Sequence, residues 1–398
     1  MKLNAIAAAV LSVSTLWLSP GVAQAQTTSQ APKAAAAAAS VDHQAVARHY
    51  AALVHANYSD TLAAAKDMQA AIATFVAAPS ADGLNKARQA WLDAREFYGQ
   101  TEAFRFYGGP IDDDKGPEGQ INAWPLDEAY VDYVEGKPNA GLINDAKFKI
   151  TKANLVAFNE RGGEENIAAG WHAIEFLLWG QDLSETGAGD RSFEDYVDGK
   201  KPNADRRRQF LTVATGLLID DLSYLTKAWE PGKKNYRAKF EKGGKESVRK
   251  IIVGLGSLSR GELAGERMEV ALNSQDQEDE HSCFSDNTHR DAATNAKGIQ
   301  NVWLGQYQRR DGSQLQGPGV RDLVAAKNVA LAEKTTAQIA ESVQGAASIP
   351  APFDRAIIQG SAGRPIVEKT IASLVEQSKL LVESAGAVGI TKLTLVEP

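Results

Sequence analysis

Apolar residues recur at spacings of three and four along most of this chain, the period of an amphipathic helix. Between His43 and Ala77 the pattern runs through Val46, Tyr50, Leu53, Val54, Tyr58 and Leu62. Ala77-Ala78-Pro79 stops it, and Asp82 opens a second helix that reaches about Tyr107, ahead of Gly108-Gly109-Pro110. Further helices are expected over roughly 144–160, 164–179, 204–229, 246–272, 292–307, 319–344 and 364–385, punctuated by glycine and proline. Few stretches alternate with the period of two that a half-buried strand requires. The expected fold class is therefore all-α.

The length suggests two domains. The expected arrangement is two helical bundles packed together, residues 41–240 and 241–398, with the basic, glycine-bearing stretch 233–245 as boundary. Residues 132–140 and 195–204 share Asp-Tyr-Val, an acid, Gly-Lys and Pro-Asn-Ala, and Trp91-Leu92 is echoed by Trp303-Leu304. Reuse of turn chemistry and an ancient duplication both account for these echoes. Residues 111–142 are rich in Gly, Pro, Asp and aromatics and read as a long ordered loop with short helical turns. Loops of that length in compact domains tend to be functional.

The N-terminus reads as a secretory signal. Lys2 is followed by an apolar run over 5–18 and by Ala23-Gln24-Ala25, so cleavage is expected after Ala25. Residues 26–40 then form a disordered tether, and the periplasm is the expected destination. A formal charge of -7, with no basic stripe interleaved with aromatics, argues against nucleic acid as a partner. No later apolar run is long enough for a transmembrane anchor. The single cysteine, Cys283, makes neither an internal disulfide nor a sulfur-rich metal centre.

Three patterns carry chemistry. In Gly170-Trp171-His172-Ala173-Ile174-Glu175, His172 and Glu175 share one helical face and can aim an imidazole and a carboxylate at one point. Gly170 admits another backbone or a ligand. The helix is otherwise apolar, so Glu175 must be paired, metal-bound or protonated, and a His–Glu hydrogen bond satisfies the same residues. No His-Glu-x-x-His motif occurs, and Phe176 stands where the inverted motif needs histidine. The second pattern is Arg88, Trp91, Arg95, Tyr98 and Glu102, one stripe of a helix. It either lines a cleft, with Glu102 as a third ligand and Arg95 as its charge partner, or forms a surface of ion pairs. The third is the segment 277–289, dense in acids and hydroxyls around Cys283-Phe284. It does not match an EF-hand loop, and Ser282 and Ser285 lack a nucleophile elbow.

Gly170-x-His172-x-x-Glu175, the helix from Trp91 to Phe106, Gly261-Glu262-Leu263-Ala264-Gly265-Glu266-Arg267-Met268 and Glu278 through Asp286 together resemble the imelysin family. The resemblance covers nearly all of the chain after the signal. It implies two facing helical bundles, an exported protein associated with iron acquisition, and a site near the Gly-x-His-x-x-Glu helix. His172 and Glu175 are the implied metal ligands and Glu102 a third. Ser285 and Asp286 are expected to face the cleft, which Trp91 and Arg95 of the stripe and Gly170 are expected to line. The family also carries a metallopeptidase label.

Three functions follow. The favoured one is a periplasmic metal-binding protein that holds iron in preference to zinc, because hard oxygens and one imidazole are present and thiolates are not. It would hand its metal to a membrane transporter or receptor. The second is a zinc-type metallopeptidase, which needs three protein ligands and an open water. The third is a metal-free module that recognises a partner or glycan through Trp124, Tyr130 and Tyr133.

Overall fold

The computed structural model describes residues 41–184 and 186–396. The signal ending at Ala25 and the tether to Ser40 lie outside the described residues. The described residues are all-α apart from one two-stranded hairpin and an isolated bridge between Val134 and Lys137. Helix α1 (His43–Ala77) begins where the Asp42 side chain accepts from Ala45 N at 2.7 Å. Helix α2 (Ala81–Thr101) begins where Ser80 Oγ accepts from Gly83 N. These side-chain acceptors satisfy amide groups that have no partner within the helix. Next come α3 (Gly170–Trp179), α4 (Ala204–Ala228) and α5 (Lys245–Ser257). Helix α5 runs on through widened π-helical turns, Leu258–Glu269, into Val270–Ser274. Helix α6 (Thr288–Leu304), strands β1 (Gln306–Gln308) and β2 (Gln314–Gln316), α7 (Val329–Ala347) and α8 (Arg364–Ala387) complete the chain. No helix of the described residues is long and apolar enough to cross a membrane.

Several expected boundaries move, each for a local reason. Helix α2 stops at Thr101, and a 3-10 turn carries Glu102–Phe104 before Phe106 takes φ 71°. The helix expected over 144–160 shortens to Lys152–Phe158. Arg206 takes the carbonyls of Leu142, Ile143, Asp145 and Phe148, so these residues turn around its guanidinium. Helix α3 starts at Gly170, not near 164, because Asn159 Oδ1 accepts from Ala168 N and holds the preceding segment extended. Residues 319–344 divide into Val320–Ala325 and α7, with Asn328 capping the second piece. The hairpin strands, Gln-Tyr-Gln and Gln-Leu-Gln, alternate over only three residues each, too short a run to read as strands from sequence. Tyr307 pairs with Leu315 across it, and Tyr307 is its one fully buried side chain.

Helix α1 packs on α2, α4 and α5, and α2 packs on α6. Helices α6, α7 and α8 follow one another, and α8 returns against α5 and the π-helical turns. One connected set of buried apolar side chains reaches from Val46 to Ile390. Within the stretch 233–245, Phe240 is buried with ring centroids 5.3 Å from Tyr50 and 5.2 Å from Trp229. Glu96–Arg290, Arg95–Asp291 and Gln100–Asn301 contacts advance together along α2 and α6, so the two helices run side by side in the same direction. They approach closely at Gly298, where a Cβ would sit 2.4 Å from Gln100 O. This approach holds Arg95 against Asp291 below it. Helix α3 lies between α2 and α4 with all ten residues buried, as its all-round apolar sequence requires.

Candidate functional site

Two residues of α3 meet one helical turn apart. His172 Nδ1 is 2.9 Å from Glu175 Oε2. Glu175 Oε1 accepts from Ser285 N at 2.9 Å and from Ser285 Oγ at 2.6 Å. His172 is 2 % exposed and its Nε2 has no partner. Burial pushes the Glu175 carboxyl up to about 8, although both Ser285 bonds favour its ionised form. Burial, aided by the Arg95 guanidinium, holds the imidazole well below its ordinary range. With the proton on Oε2, Nδ1 accepts and Nε2 carries the ring hydrogen. Once the carboxyl ionises, Nδ1 donates and Nε2 presents a lone pair.

A second histidine stands against the first. The rings of His172 and His281 are 4.7 Å apart and inclined at 70°. His281 Nδ1 lies 2.8 Å from Asp291 Oδ2, while Asn122 Nδ2 lies 3.3 Å from Nε2. Arg95 donates to Asn122 Oδ1 at 2.7 Å and to Asp291 Oδ1 at 2.8 Å. The Asn122 amide therefore offers its N–H to His281, whose Nδ1–H goes to Asp291, and both ring nitrogens are used. Burial alone would raise the Asp291 carboxyl. The Arg95 guanidinium and His281 outweigh it and hold the group far below the usual carboxylate range.

Glu102 ends up one layer away, and not with the expected charge partner. Arg95 pairs with Asp291, while Glu102 Oε2 accepts from Arg105 and from Arg267, each at 2.7 Å. Arg267 also binds Glu262 at 2.7 Å, and Arg105 binds Glu118 at 2.9 Å. Burial opposes ionisation of Glu102, but the two arginines outweigh it and hold the carboxyl far below its ordinary range. Glu102 Oε1 is buried and unpartnered, as is the Tyr98 hydroxyl. The π-helical turns supply Glu262 and Arg267 to this layer, in keeping with the habit of such turns to occur at functional sites.

Most of the stripe read from sequence faces the packed interior, with Arg88 half-buried at its start. Trp91, Arg95, Tyr98 and Glu102 are buried, and Trp91 Nε1 donates to the Trp171 carbonyl at 3.1 Å. Gly170 has φ +81°, and a Cβ there would meet Ile121 O at 2.4 Å, so its bare backbone seats α3 beside Asn122. Asp286 is half-buried with φ 57° and does not bond to Glu175. Neither serine hydroxyl is bonded to a histidine: Ser285 donates to Glu175, and Ser282 to Asp291 at 2.5 Å. Tyr130 and Tyr133 are tied to Phe158 O and Asp195, and Trp124 meets His281 edge-on at 5.1 Å. Those three aromatics therefore do not form one open platform.

Reasoning from sequence missed Asn122 and Asp291 and gave His281 no role. Only the need of a buried Arg95 for an acidic partner pointed toward them. Among the described residues, no three His, Cys, Asp or Glu side chains converge at metal-binding distance. The donor types nevertheless fit a hard or borderline cation: an imidazole nitrogen that can open its lone pair, and buried carboxylate oxygens without partners. Glu175 fits a different part. A carboxylate on Nδ1 fixes the imidazole and leaves Nε2 free, which is the orienting role that carboxylates play behind metal-bound histidines.

An all-helical chain with a buried His–Glu turn, closed over by an acidic serine segment, defines a narrow class of proteins. The imelysin family profile matches residues 54–381, and the chain belongs to that family. It is 26% identical over 310 residues to iron-regulated protein A of Synechococcus elongatus, covering 75% of this chain and 73% of that protein. A crystal structure described as an iron-regulated protein A precursor from Parabacteroides distasonis superposes with a TM-score of 0.66 at 18% identity. It spans 87% of this chain and 94% of its own. An imelysin-like protein from Psychrobacter arcticum superposes with a TM-score of 0.64 at 14% identity, over 87% of this chain and 96% of its own.

Proposed function

We propose that this protein is an exported iron-binding protein of the periplasm that holds its metal at His172 and passes it to a membrane transporter or receptor. The observation that carries the reading is the state of His172. One ring nitrogen is held by Glu175, and the other is buried without a partner. A buried polar atom left open in a dense hydrogen-bonded layer calls for a water or an ion. The name of the Synechococcus relative, iron-regulated protein A, supports iron as the metal, as does a donor set without thiolates. The signal read at Ala25 supports export.

In this reading His172 Nε2 is a ligand, Glu175 orients the imidazole, and Glu102 Oε1 is an open buried oxygen in the neighbouring layer. A bound iron ion would supply a Lewis-acidic centre whose charge the orphaned oxygens meet. The chain's own residues do the remaining work. Burial and the Arg267 guanidinium keep His281 neutral against His172, while Asn122 and Asp291, both held by Arg95, fix its ring. Arg105 and Arg267 keep Glu102 ionised. Ser285 holds Glu175 in place. The test is calorimetric titration of the protein with Fe(II) under argon, set beside His172→Ala. The variant is expected to lose at least about tenfold in affinity, since losing even an outer-shell partner of a metal site costs that much. Equal affinity in the two proteins would remove His172 from the site and the reading with it.

A further inference from the structure

One buried group takes no part in the layer just described. Glu280 is 2 % exposed, and neither of its carboxylate oxygens has a partner. The Thr288 hydroxyl beside it accepts from Ser282 N at 3.0 Å and does not reach Glu280 in hydrogen-bonding geometry. A buried carboxylate without a partner is costly, and folded proteins keep such groups where function uses them.

Glu280 lines a small chamber together with His172, His281, Trp124, Cys283 and Phe284. The chamber volume is about 10 Å³, room for roughly one water. Pro125, Leu126 and Glu278 form a wall that this chamber shares with a larger vestibule of about 440 Å³. Asp127, Glu128, Glu165, Glu278 and Asp279 line that vestibule, and no lysine or arginine does. Like charges on a concave wall concentrate counter-ions and speed their arrival. The same charges repel anions.

We propose that the vestibule is the access route for a free hydrated cation, and that Glu280 is the carboxylate that receives it beside His172. The proposal rests on the metal-binding reading above and deepens it. The cargo is the aquo ion and not an anionic ferric chelate. The chamber has no room for a hydration shell, so protein oxygens must replace water as the ion enters. Glu280 is the chamber group with two open oxygens, and His172 the one with an open nitrogen. No three ligands are preassembled, so the Glu280 side chain must swing to meet the ion.

The test uses the full chain after removal of the signal. Fe(II) under argon is titrated calorimetrically, and its association is followed by stopped-flow quenching of tryptophan emission. Glu280→Gln is expected to lower Fe(II) affinity at least about tenfold and to raise the melting temperature, because an unpartnered buried acid becomes a neutral amide. The triple variant Asp127→Asn, Glu165→Gln, Asp279→Asn is expected to slow Fe(II) association about tenfold at low salt, with the difference vanishing as salt rises. Ferric citrate is expected to show no fast phase. Wild-type affinity in Glu280→Gln, alongside lost affinity in His172→Ala, overturns this proposal and leaves the metal-binding reading standing. Absence of Fe(II) binding to the parent protein overturns both. A Glu280→Gln variant that loses thermal stability marks a structural carboxylate and also overturns the proposal. Equal association of ferric citrate and Fe(II), with the triple variant unaffected, overturns the access route.

Discussion

Glu175 reaches His172 at Nδ1, across 2.9 Å and one turn of α3, so the nitrogen left open is Nε2. Orientation and ligation are thereby divided between the two residues of the motif, and their variants should differ in kind. Glu175→Gln is expected to weaken Fe(II) binding about ten- to hundredfold while leaving a measurable site, as losing an orienting carboxylate does. His172→Ala is expected to weaken it further. Calorimetry on the two variants separates the roles. A stronger loss in Glu175→Gln than in His172→Ala would make Glu175 the ligand and His172 its support.

The Arg95–Asp291 pair, 1 % exposed on both sides, ties α2 to α6 beneath the site. Removing one member leaves the other charged and buried. Arg95→Leu is expected to cost about 3–5 kcal/mol of folding stability, the range for a broken buried pair. Replacing Asp291 with leucine in the same chain is expected to restore part of it. Urea denaturation of the single and double variants measures both effects. A loss under about 1 kcal/mol, the scale of an exposed pair, would show that the pair is solvated in solution.

Gly170 joins the first turn of α3 to the carbonyl of Ile121, next to Asn122. A methyl group at this position meets that carbonyl at 2.4 Å, on a backbone at φ +81°. Gly170→Ala is expected to cost more than about 1 kcal/mol from backbone strain alone. It is also expected to weaken Fe(II) binding, since α3 must move to relieve the overlap. Thermal unfolding and titration of one preparation check the two together. A variant as stable as the parent would mean that α3 does not seat against residues 120–121.

Asp221 lies on α4, away from the site, with Oδ2 buried and unpartnered. Burial, with Asp220 adding to it, raises its carboxyl from 3.8 to about 7. Below about pH 4 the group is protonated in folded and unfolded chains alike, so its contribution to stability is fully present there. As pH rises toward 7 the unfolded chain releases the proton while the folded chain keeps it, and stability is lost across that window. Asp221→Asn removes the titration. The variant is expected to melt with the parent near pH 4 and above it near pH 8, where the parent carries the buried charge. Melting curves at the two pH values decide it. A constant difference would mean that the group titrates alike in both states.

The helical class was legible in the period of Val46, Tyr50, Leu53 and Val54, because burial of one face is a local demand that the sequence itself records. The burial of Glu175 was legible too, since Ile174, Phe176 and Leu177 leave no polar face on that helix. The spacing of His172 and Glu175 brought them to one point, as an α-helix must. The partners of those residues were decided elsewhere. Ser285 reaches Glu175 from 110 positions away, Asp291 reaches Arg95 from 196, and Arg267 reaches Glu102 from 165. No period encodes such distances. They are set where α2 and α6 meet at glycines and where the π-helical turns shift Arg267 inward. Local periodicity thus determined which side chains turn inward. Only packing between distant helices decided which of them neutralise one another, and so which two, His172 and Glu280, are left with open atoms in one chamber.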